Sequence, residues 1–217
     1  MTLLHIECEA PMDHHSLPTG QGDKSPHTFY TPDIPDTLDN PNELFDLVDR
    51  DDLVIGQVRR GDAHRNPALI HRSVQVMIFD SAGRVLLQRR SQAKDLFPGY
   101  YCASASGHVA SGEDYPETAI REVEEELGVT LLLAYAGKEL VRSHAETEMT
   151  ALFLGRSDGP FTFHPTETAG GDFFTPAVLE RAVSDGSLPM TPALLAALGM
   201  IAQLRREGVL DPLLAEL

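Results

Sequence analysis

The distribution of hydrophobic and polar residues divides the chain into two parts. Residues 1–41 contain six prolines among Asp, Ser, Thr and His residues, and their apolar residues follow neither a helical nor a strand period. We expect this part to be an extended or disordered tail, because it has no apolar face to bury. Periodic patterns begin after residue 41, and we expect residues 42–217 to form one domain.

The first half of this domain is predicted to consist of paired strands. Residues 43–49 and 53–58 are apolar runs separated by a polar turn, which is typical of a hairpin. Residues 73–78 alternate between core-type and more polar side chains, and a turn leads to a return strand at 85–88. Residues 96–106 contain proline, glycine and small residues, and we interpret them as a loop.

One helix has several independent signals. Asp114 and Glu117 have the spacing of a capping box, Pro116 falls in the first turn, and Gly128 occupies the position of a left-handed cap. An apolar stripe at helical spacing lies between them, so we expect a helix over 116–127. Further strands are predicted at 131–134 and 149–154, and further helices at 178–183 and 193–206. The order of elements indicates an α+β class rather than a repeating βαβ unit.

Composition and charge exclude several kinds of partner. Asp and Glu number 33 against 17 Lys and Arg, which gives a formal net charge of −16. Nucleic acid polymers and anionic membranes attract basic surfaces, so neither is an expected partner. The two cysteines lack metal-type spacing, and we find no signal peptide and no membrane span. We expect a cytoplasmic protein that binds a small molecule, and a homodimer is compatible with the sequence.

The candidate chemistry is concentrated on the helix predicted at 116–127. Glu122, Glu125 and Glu126 are spaced at i, i+3 and i+4, so they share one face, where three like charges repel one another. A hard divalent cation would compensate them, because Mg²⁺ prefers carboxylate oxygens together with water and substrate phosphates. Gly107 permits close backbone approach, and its carbonyl is a further candidate ligand. Taken alone, the glutamates are better explained as the solvated acidic face of a surface helix.

The wider pattern resembles the Nudix box, G-x5-E-x7-R-E-U-x-E-E-x-G-U, in which U is aliphatic. Every defined position is filled, by Gly107, Glu113, Arg121, Glu122, Val123, Glu125, Glu126, Gly128 and Val129. The resemblance implies the Nudix fold, a mixed β-sheet sandwiched between α-helices, and hydrolysis of a diphosphate linked to another moiety with Mg²⁺ or Mn²⁺. It also implies that Glu122, Glu125 and Glu126 bind the metal, while Glu113 and Arg121 form a supporting pair.

A second resemblance, outside the box, is to the Nudix-fold isopentenyl-diphosphate isomerases. It rests on His64, His71, Arg89-Arg90, Lys94, Phe97-Pro98-Gly99, Gly107-His108 and Glu146-Thr147-Glu148. Those isomerases bind one divalent metal through three histidines and two glutamates. The resemblance therefore implies a second metal site at His64, His71, His108, Glu146 and Glu148, where imidazoles with carboxylates suit Zn²⁺ or Mn²⁺ better than Mg²⁺.

Two departures favour a hydrolase over an isomerase. Ser106 stands where the isomerases have a catalytic cysteine, and a hydroxyl is far less acidic than a thiol. The isomerases also usually have a degraded box, whereas this one is intact. An isopentenyl-diphosphate isomerase, with Glu148 and either Ser106 or a water as its acid and base, remains the alternative. A non-catalytic domain that senses a nucleotide or metabolite is a third interpretation.

The remaining catalytic candidates lie outside the box. Arg89, Arg90 and Lys94 are candidate phosphate ligands, although adjacent strand residues face opposite sides and at least one arginine must point away. Glu167 resembles the late-loop glutamate of the family, and the segment Ala169-Gly170-Gly171 would make its loop mobile. We expect Glu122, Glu125 or Glu167 to orient or deprotonate the attacking water.

Overall fold

The computed structural model describes residues 40–94 and 96–217, so the tail predicted for residues 1–41 lies outside the described residues except at its last two positions. Nine strands and five helices occur in this part of the chain. They are β1 (Leu44–Val48), β2 (Val54–Arg59), α1 (Arg60–Ala63), β3 (Ile70–Phe79), β4 (Val85–Arg90), β5 (Tyr101–Cys102), β6 (Ala105–His108), α2 (Tyr115–Leu127), β7 (Ala134–Arg142), β8 (Thr147–Arg156), β9 (Thr168–Phe174), α3 (Pro176–Asp185), α4 (Pro192–Arg206) and α5 (Leu210–Ala215). In the described residues, we find no helix with the length and apolar character that a membrane span requires.

The strands form a mixed sheet that splits on one side of its central strand, β3. One edge of β3 pairs with β8 in parallel along the whole strand, and β7 continues the sheet antiparallel to β8. The other edge of β3 pairs in turn with β1, with β6 and, at its last residue, with β4. Because β4 meets β3 only at Phe79 and Val85 and then pairs with β5 and β9, a gap opens between β4 and β6. The candidate site lies at this gap.

Alternating side chains of β3 build a core on each face of the sheet. Val74, Val76 and Ile78 pack with Val123 and Leu127 of α2 on one face. On the other face, the next residues in the alternation, Met77 and Phe79, pack with Leu194 and Ile201 of α4. Each such side chain contributes about 1.5–3 kcal/mol when fully buried. The sheet is therefore sandwiched between helices, which confirms the predicted α+β class.

The strongest local predictions are confirmed. Strands β1 and β2 form the expected hairpin, with Phe45 opposite Val58. Helix α2 begins one residue earlier than predicted, Asp114 accepts a hydrogen bond from the backbone N–H of Glu117, and Gly128 ends the helix at φ 66°. These features depend on residues within a few positions of one another.

Three sequence predictions are wrong. The strand placed at 131–134 begins only at Ala134 and runs to Arg142, because Leu131 and Leu133 turn inward against the α2 core before pairing begins. The loop placed at 96–106 ends in strands β5 and β6, because β5 pairs with β4 and β6 pairs with β3. Gly170 and Gly171, which were predicted to make their loop mobile, lie within strand β9. There, a Cβ on Gly171 would lie 2.8 Å from Phe163 Cζ, so glycine serves close packing.

Candidate active site

Helix α2 places Glu122 and Glu126 one turn apart, at the gap in the sheet. The Oε2 atom of Glu126 accepts hydrogen bonds from Gln88 Nε2 on β4, at 2.9 Å, and from the backbone N–H of Ser106 on β6, at 3.2 Å. One buried carboxylate thus contacts both sides of the split sheet. The helix, β4 and β6 together fix its position.

Glu122 lies directly against the backbone of β6. A Cβ on Gly107 would lie only 2.0 Å from Glu122 Oε1, so no other residue type allows the carboxylate to occupy this position. This observation places Gly107 and Glu122 together, as the predicted ligand set requires. It also gives a physical reason for glycine at the first position of the box.

Arg121 supports the acidic face from its outer side. Its Nη1 atom donates to Glu122 Oε1 at 2.8 Å and to Glu125 Oε2 at 3.2 Å, while Nη2 donates to Glu113 Oε2 at 3.1 Å and to the His108 carbonyl at 3.4 Å. Burial opposes ionisation of Glu113, but the Arg121 hydrogen bond and charge hold the pKa of Glu113 below its usual value. The structure thus forms the predicted Glu113–Arg121 pair and extends it to the rest of the box.

The buried glutamates carry strongly perturbed pKa values. Burial raises the pKa of Glu122 to about 8; Arg121 opposes this shift, and the charge of Glu125 adds to it. Burial also raises the pKa of Glu126 well above its usual value, reinforced by the charges of Glu122 and Glu167. Glu125 differs, because about half of its side chain is exposed. The acidic face therefore has a buried inner pair and an exposed outer carboxylate.

A second group of ligating side chains meets at the start of β3 and β8. One ligand atom from each of His64, His71, His108 and Glu146 lies within 4.8 Å of all the others. Glu146 Oε2 is 3.1 Å from His64 Nε2 and 3.8 Å from His71 Nε2. Glu148 Oε1 is 3.5 Å from His108 Nε2. The structure therefore brings together all five residues of the predicted second metal site, which we call the histidine cluster.

The protonation of the histidine cluster follows from its burial. Burial and the nearby charge of His64 lower the pKa of His71 to about 3, so His71 is neutral at physiological pH. Burial, with the charge of Arg60, also lowers the pKa of His108 well below its usual value, and burial raises that of Glu148. Buried in the cluster, His71 Nε2 has no hydrogen-bond partner among the described residues. A neutral ring nitrogen of this kind is suited to metal binding.

Arg60 is a participant that the sequence analysis missed. Its Nη1 atom lies 3.0 Å from His108 Nδ1. Because a guanidinium only donates, this nitrogen accepts, and the neutral His108 ring carries its proton on Nε2. A metal bound through His108 Nε2 requires the opposite tautomer, so its binding must displace Arg60 from Nδ1.

The predicted phosphate ligands are divided between two faces of β4. Arg90 shares the face of Gln88, and its Nε donates to the Leu96 carbonyl at 3.0 Å. Arg89 is exposed on the opposite face, with its Nε 3.2 Å from the Gly99 carbonyl, so the structure does not bring it to the carboxylates. Lys94 Nζ donates to Glu167 Oε2 at 2.7 Å, and this pair is largely buried. Lys94, the candidate phosphate ligand, and Glu167, the candidate base, therefore form an ion pair with each other.

Comparison with known proteins identifies the family. The sequence model of the NUDIX domain matches residues 69–194, more than half of the chain. An uncharacterized Nudix hydrolase of Pseudomonas aeruginosa, PA4841, is 35% identical over 158 residues, covering 72% of this chain and 91% of that protein. An isopentenyl-diphosphate Delta-isomerase of Streptomyces coelicolor is 36% identical over 150 residues, covering 65% of this chain and 76% of that protein. The crystal structure of DR0079 from Deinococcus radiodurans has a TM-score of 0.64 and 28% identity, covering 72% of this chain and 98% of that one.

The chain therefore belongs to the Nudix family, and it is an enzyme of the Nudix hydrolase type. This confirms the family that the box at 107–129 predicted, and it confirms the fold that the resemblance implied.

Proposed function

We propose that the protein is a metal-dependent hydrolase that cleaves a diphosphate linked to another moiety, such as a nucleoside diphosphate derivative or a similar small metabolite. The observation that carries this proposal is the buried pair Glu122 and Glu126 on the helix of a complete Nudix box. Burial raises both of their pKa values, and each is raised further by neighbouring carboxylates. Such a pair gains more from a divalent cation than from any neutral partner.

The residues at the gap fit Mg²⁺ or Mn²⁺. The ion would be held by the carboxylates of Glu122, Glu125 and Glu126 and by the Gly107 carbonyl. Glu122 lies so close to Gly107 that its carboxylate leaves no room for a Cβ there. When bound, the ion neutralises charge on the diphosphate and lowers the pKa of a bound water.

The chain's own side chains would complete the reaction. Arg90 and Lys94 would bind phosphate oxygens, and a phosphate that takes Lys94 would release the Glu167 carboxylate from its ion pair. Glu167 would then accept a proton from the attacking water. Glu125, the exposed carboxylate of the box, is the second candidate for this role, and Glu122 is the third.

The histidine cluster supports a second bound metal. His64, His71 and Glu146 present their ligand atoms to one point, and His108 joins them once Arg60 leaves its Nδ1 atom. Imidazole and carboxylate ligands favour Zn²⁺ or Mn²⁺. A cation there would hold Glu148 ionised although burial raises its pKa.

The alternative function is isopentenyl-diphosphate isomerisation. The histidine cluster favours this reaction. The similarity to the Streptomyces coelicolor isomerase also favours it, because its 36% identity to this chain is close to the 35% identity of the Pseudomonas aeruginosa hydrolase. Ser106 argues against isomerisation, because it replaces the catalytic cysteine of the isomerases. Isomerisation leaves both phosphates on the product, so the fate of the diphosphate separates the two reactions.

Phosphate release by matched glutamine variants tests the proposal. With Mg²⁺ present, we expect Glu122→Gln and Glu125→Gln to reduce the rate on the order of a hundredfold or more while the fold survives. Glu124→Gln is the control, because Glu124 is on the same helix but exposed and accepts a hydrogen bond from Thr130 Oγ1. Equal rates in all three variants, or no phosphate release by the wild type, would contradict the proposal.

A further inference from the structure

Gln75 on β3 has a buried amide oxygen that no other described residue satisfies. The side chain is only 6% exposed, and its Oε1 atom has no hydrogen-bond partner among the described residues. Its Nε2 atom makes one long bond, 3.3 Å, to the carbonyl of the preceding residue, Val74. A buried acceptor without a partner destabilises the folded protein, because it loses its water without gaining a bond.

Gln75 lies on the strand next to β6, which borders the candidate active site. Gln75 pairs with Ser106 on β6, whose backbone N–H donates to Glu126. Side chains directly opposite on antiparallel strands have Cβ atoms about 4.5–5.5 Å apart. Gln75 is therefore paired with the strand whose backbone binds Glu126, one of the carboxylates that would hold the metal.

The neighbours of Gln75 divide its face of the sheet into a polar end and an apolar end. Toward the histidine cluster, Ser73 and Thr150 satisfy each other through a 2.9 Å hydrogen bond. In the other direction, Met77 and Leu152 belong to the core beneath α4. Gln75 lies between the polar end and the apolar end, and its Oε1 atom is an acceptor without a partner among the described residues.

We propose that Gln75 is a substrate-recognition residue, whose Oε1 atom accepts a hydrogen bond from a hydroxyl group on the moiety next to the diphosphate. The proposal rests on the proposed hydrolase function and narrows its substrate class. A hydrocarbon moiety such as an isopentenyl group offers no donor and leaves the amide oxygen unpaired. The residue therefore selects hydroxylated moieties, such as a sugar, over prenyl groups.

A methionine substitution separates recognition from structure. Gln75→Met keeps the length of the side chain and removes the acceptor. We expect its melting temperature without substrate to equal or exceed that of the wild type, because the unsatisfied oxygen is gone. Gln57→Met is the matched control, since Gln57 lies on β2, is exposed, and donates to Ser111 Oγ.

The measurement compares kcat/KM for ADP and 2′,3′-dideoxy-ADP, which differ only in sugar hydroxyls, and for isopentenyl diphosphate. The wild type and Gln57→Met should favour ADP over the dideoxy compound on the order of tenfold, the effect of one hydrogen bond. Gln75→Met should lose this preference through a lower rate on ADP. An unchanged preference in Gln75→Met overturns the assignment, as does a lowered melting temperature with equal losses on both compounds.

The same panel keeps the two proposals distinct. Phosphate release by the wild type from isopentenyl diphosphate but not from ADP would overturn the role of Gln75 and leave the hydrolase intact. No phosphate release from any member of the panel would overturn both.

Discussion

Replacing Gly107 by alanine tests whether the close approach of β6 to Glu122 positions the catalytic carboxylates. The added Cβ would lie 2.0 Å from Glu122 Oε1 and 2.1 Å from its Cδ, whereas ordinary contacts begin at 3.4 Å. To restore an ordinary contact of 3.4 Å from the present 2.0 Å, the carboxylate of Glu122 must move by about 1.4 Å. Arg121, which donates to the same oxygen at 2.8 Å, opposes that movement.

The expected result is a loss of activity with little loss of fold. A misplacement of about 1 Å at a catalytic group costs on the order of a hundredfold in rate. Gly107 does not have a positive φ, so the alanine backbone itself is not strained. The assay is the initial rate of phosphate release as a function of Mg²⁺ concentration, with circular dichroism to monitor the fold.

A second strand glycine provides the control. A Cβ on Gly56 would meet nothing closer than Leu47 Cδ2 at 4.0 Å, and Gly56 also lacks a positive φ. Gly56→Ala should therefore keep the wild-type rate and Mg²⁺ dependence. If Gly107→Ala behaved in the same way, the contact between Gly107 and Glu122 would have no part in catalysis.

Three further predictions concern pH, the ion pair and the second metal. Because burial raises the pKa of Glu122 to about 8 from 4.5, the folded metal-free protein keeps a proton that the unfolded chain releases. The contribution of Glu122 to the free energy of unfolding should therefore fall between about pH 4.5 and pH 8 and level off above, so urea unfolding should show a steeper fall in this range for the wild type than for Glu122→Gln; an identical slope in Glu122→Gln would refute the assignment. Lys94→Met should raise KM for the diphosphate substrate roughly tenfold or more through loss of a charge-assisted bond, and an unchanged KM in steady-state kinetics would exclude Lys94 as a phosphate ligand. Protein never exposed to chelators should contain Zn²⁺ or Mn²⁺ by mass spectrometry, and His64→Ala should lower that content; equal content in both would argue against the second site.

The sequence predicted the parts of the site that depend on local spacing. The face shared by Glu122 and Glu126, the cap at Asp114 and the Glu113–Arg121 pair all lie between residues 113 and 126. Helical periodicity was sufficient for the shared face and the cap, and the box resemblance supplied the Glu113–Arg121 pair. The histidine cluster was predicted only through a resemblance, because its members come from distant parts of the chain.

The parts that the sequence did not predict depend on pairing between distant strands. Gln88 and Gln75 resemble ordinary strand residues until α2 places Glu126 beside Gln88 and β6 places Ser106 opposite Gln75. The short strand β6 consists of Ala, Ser, Gly and His, which have little preference for strands, and it forms because β3 offers an edge. The ion pair of Lys94 with Glu167 joins residues 73 positions apart.

The predicted cytoplasmic location and the compatibility with a homodimer stay predictions. The acidic net charge of the chain still disfavours a nucleic acid polymer as partner.

Phosphorus NMR of the wild-type enzyme with Mg²⁺ tests the central claim most directly. The substrates are nucleoside diphosphates, sugar diphosphates and isopentenyl diphosphate, with Glu122→Gln as the inactive reference. The account predicts new phosphate or monophosphate signals from at least one substrate, absent in the variant. Intact diphosphates throughout, with isopentenyl diphosphate converted only to its isomer, would contradict it.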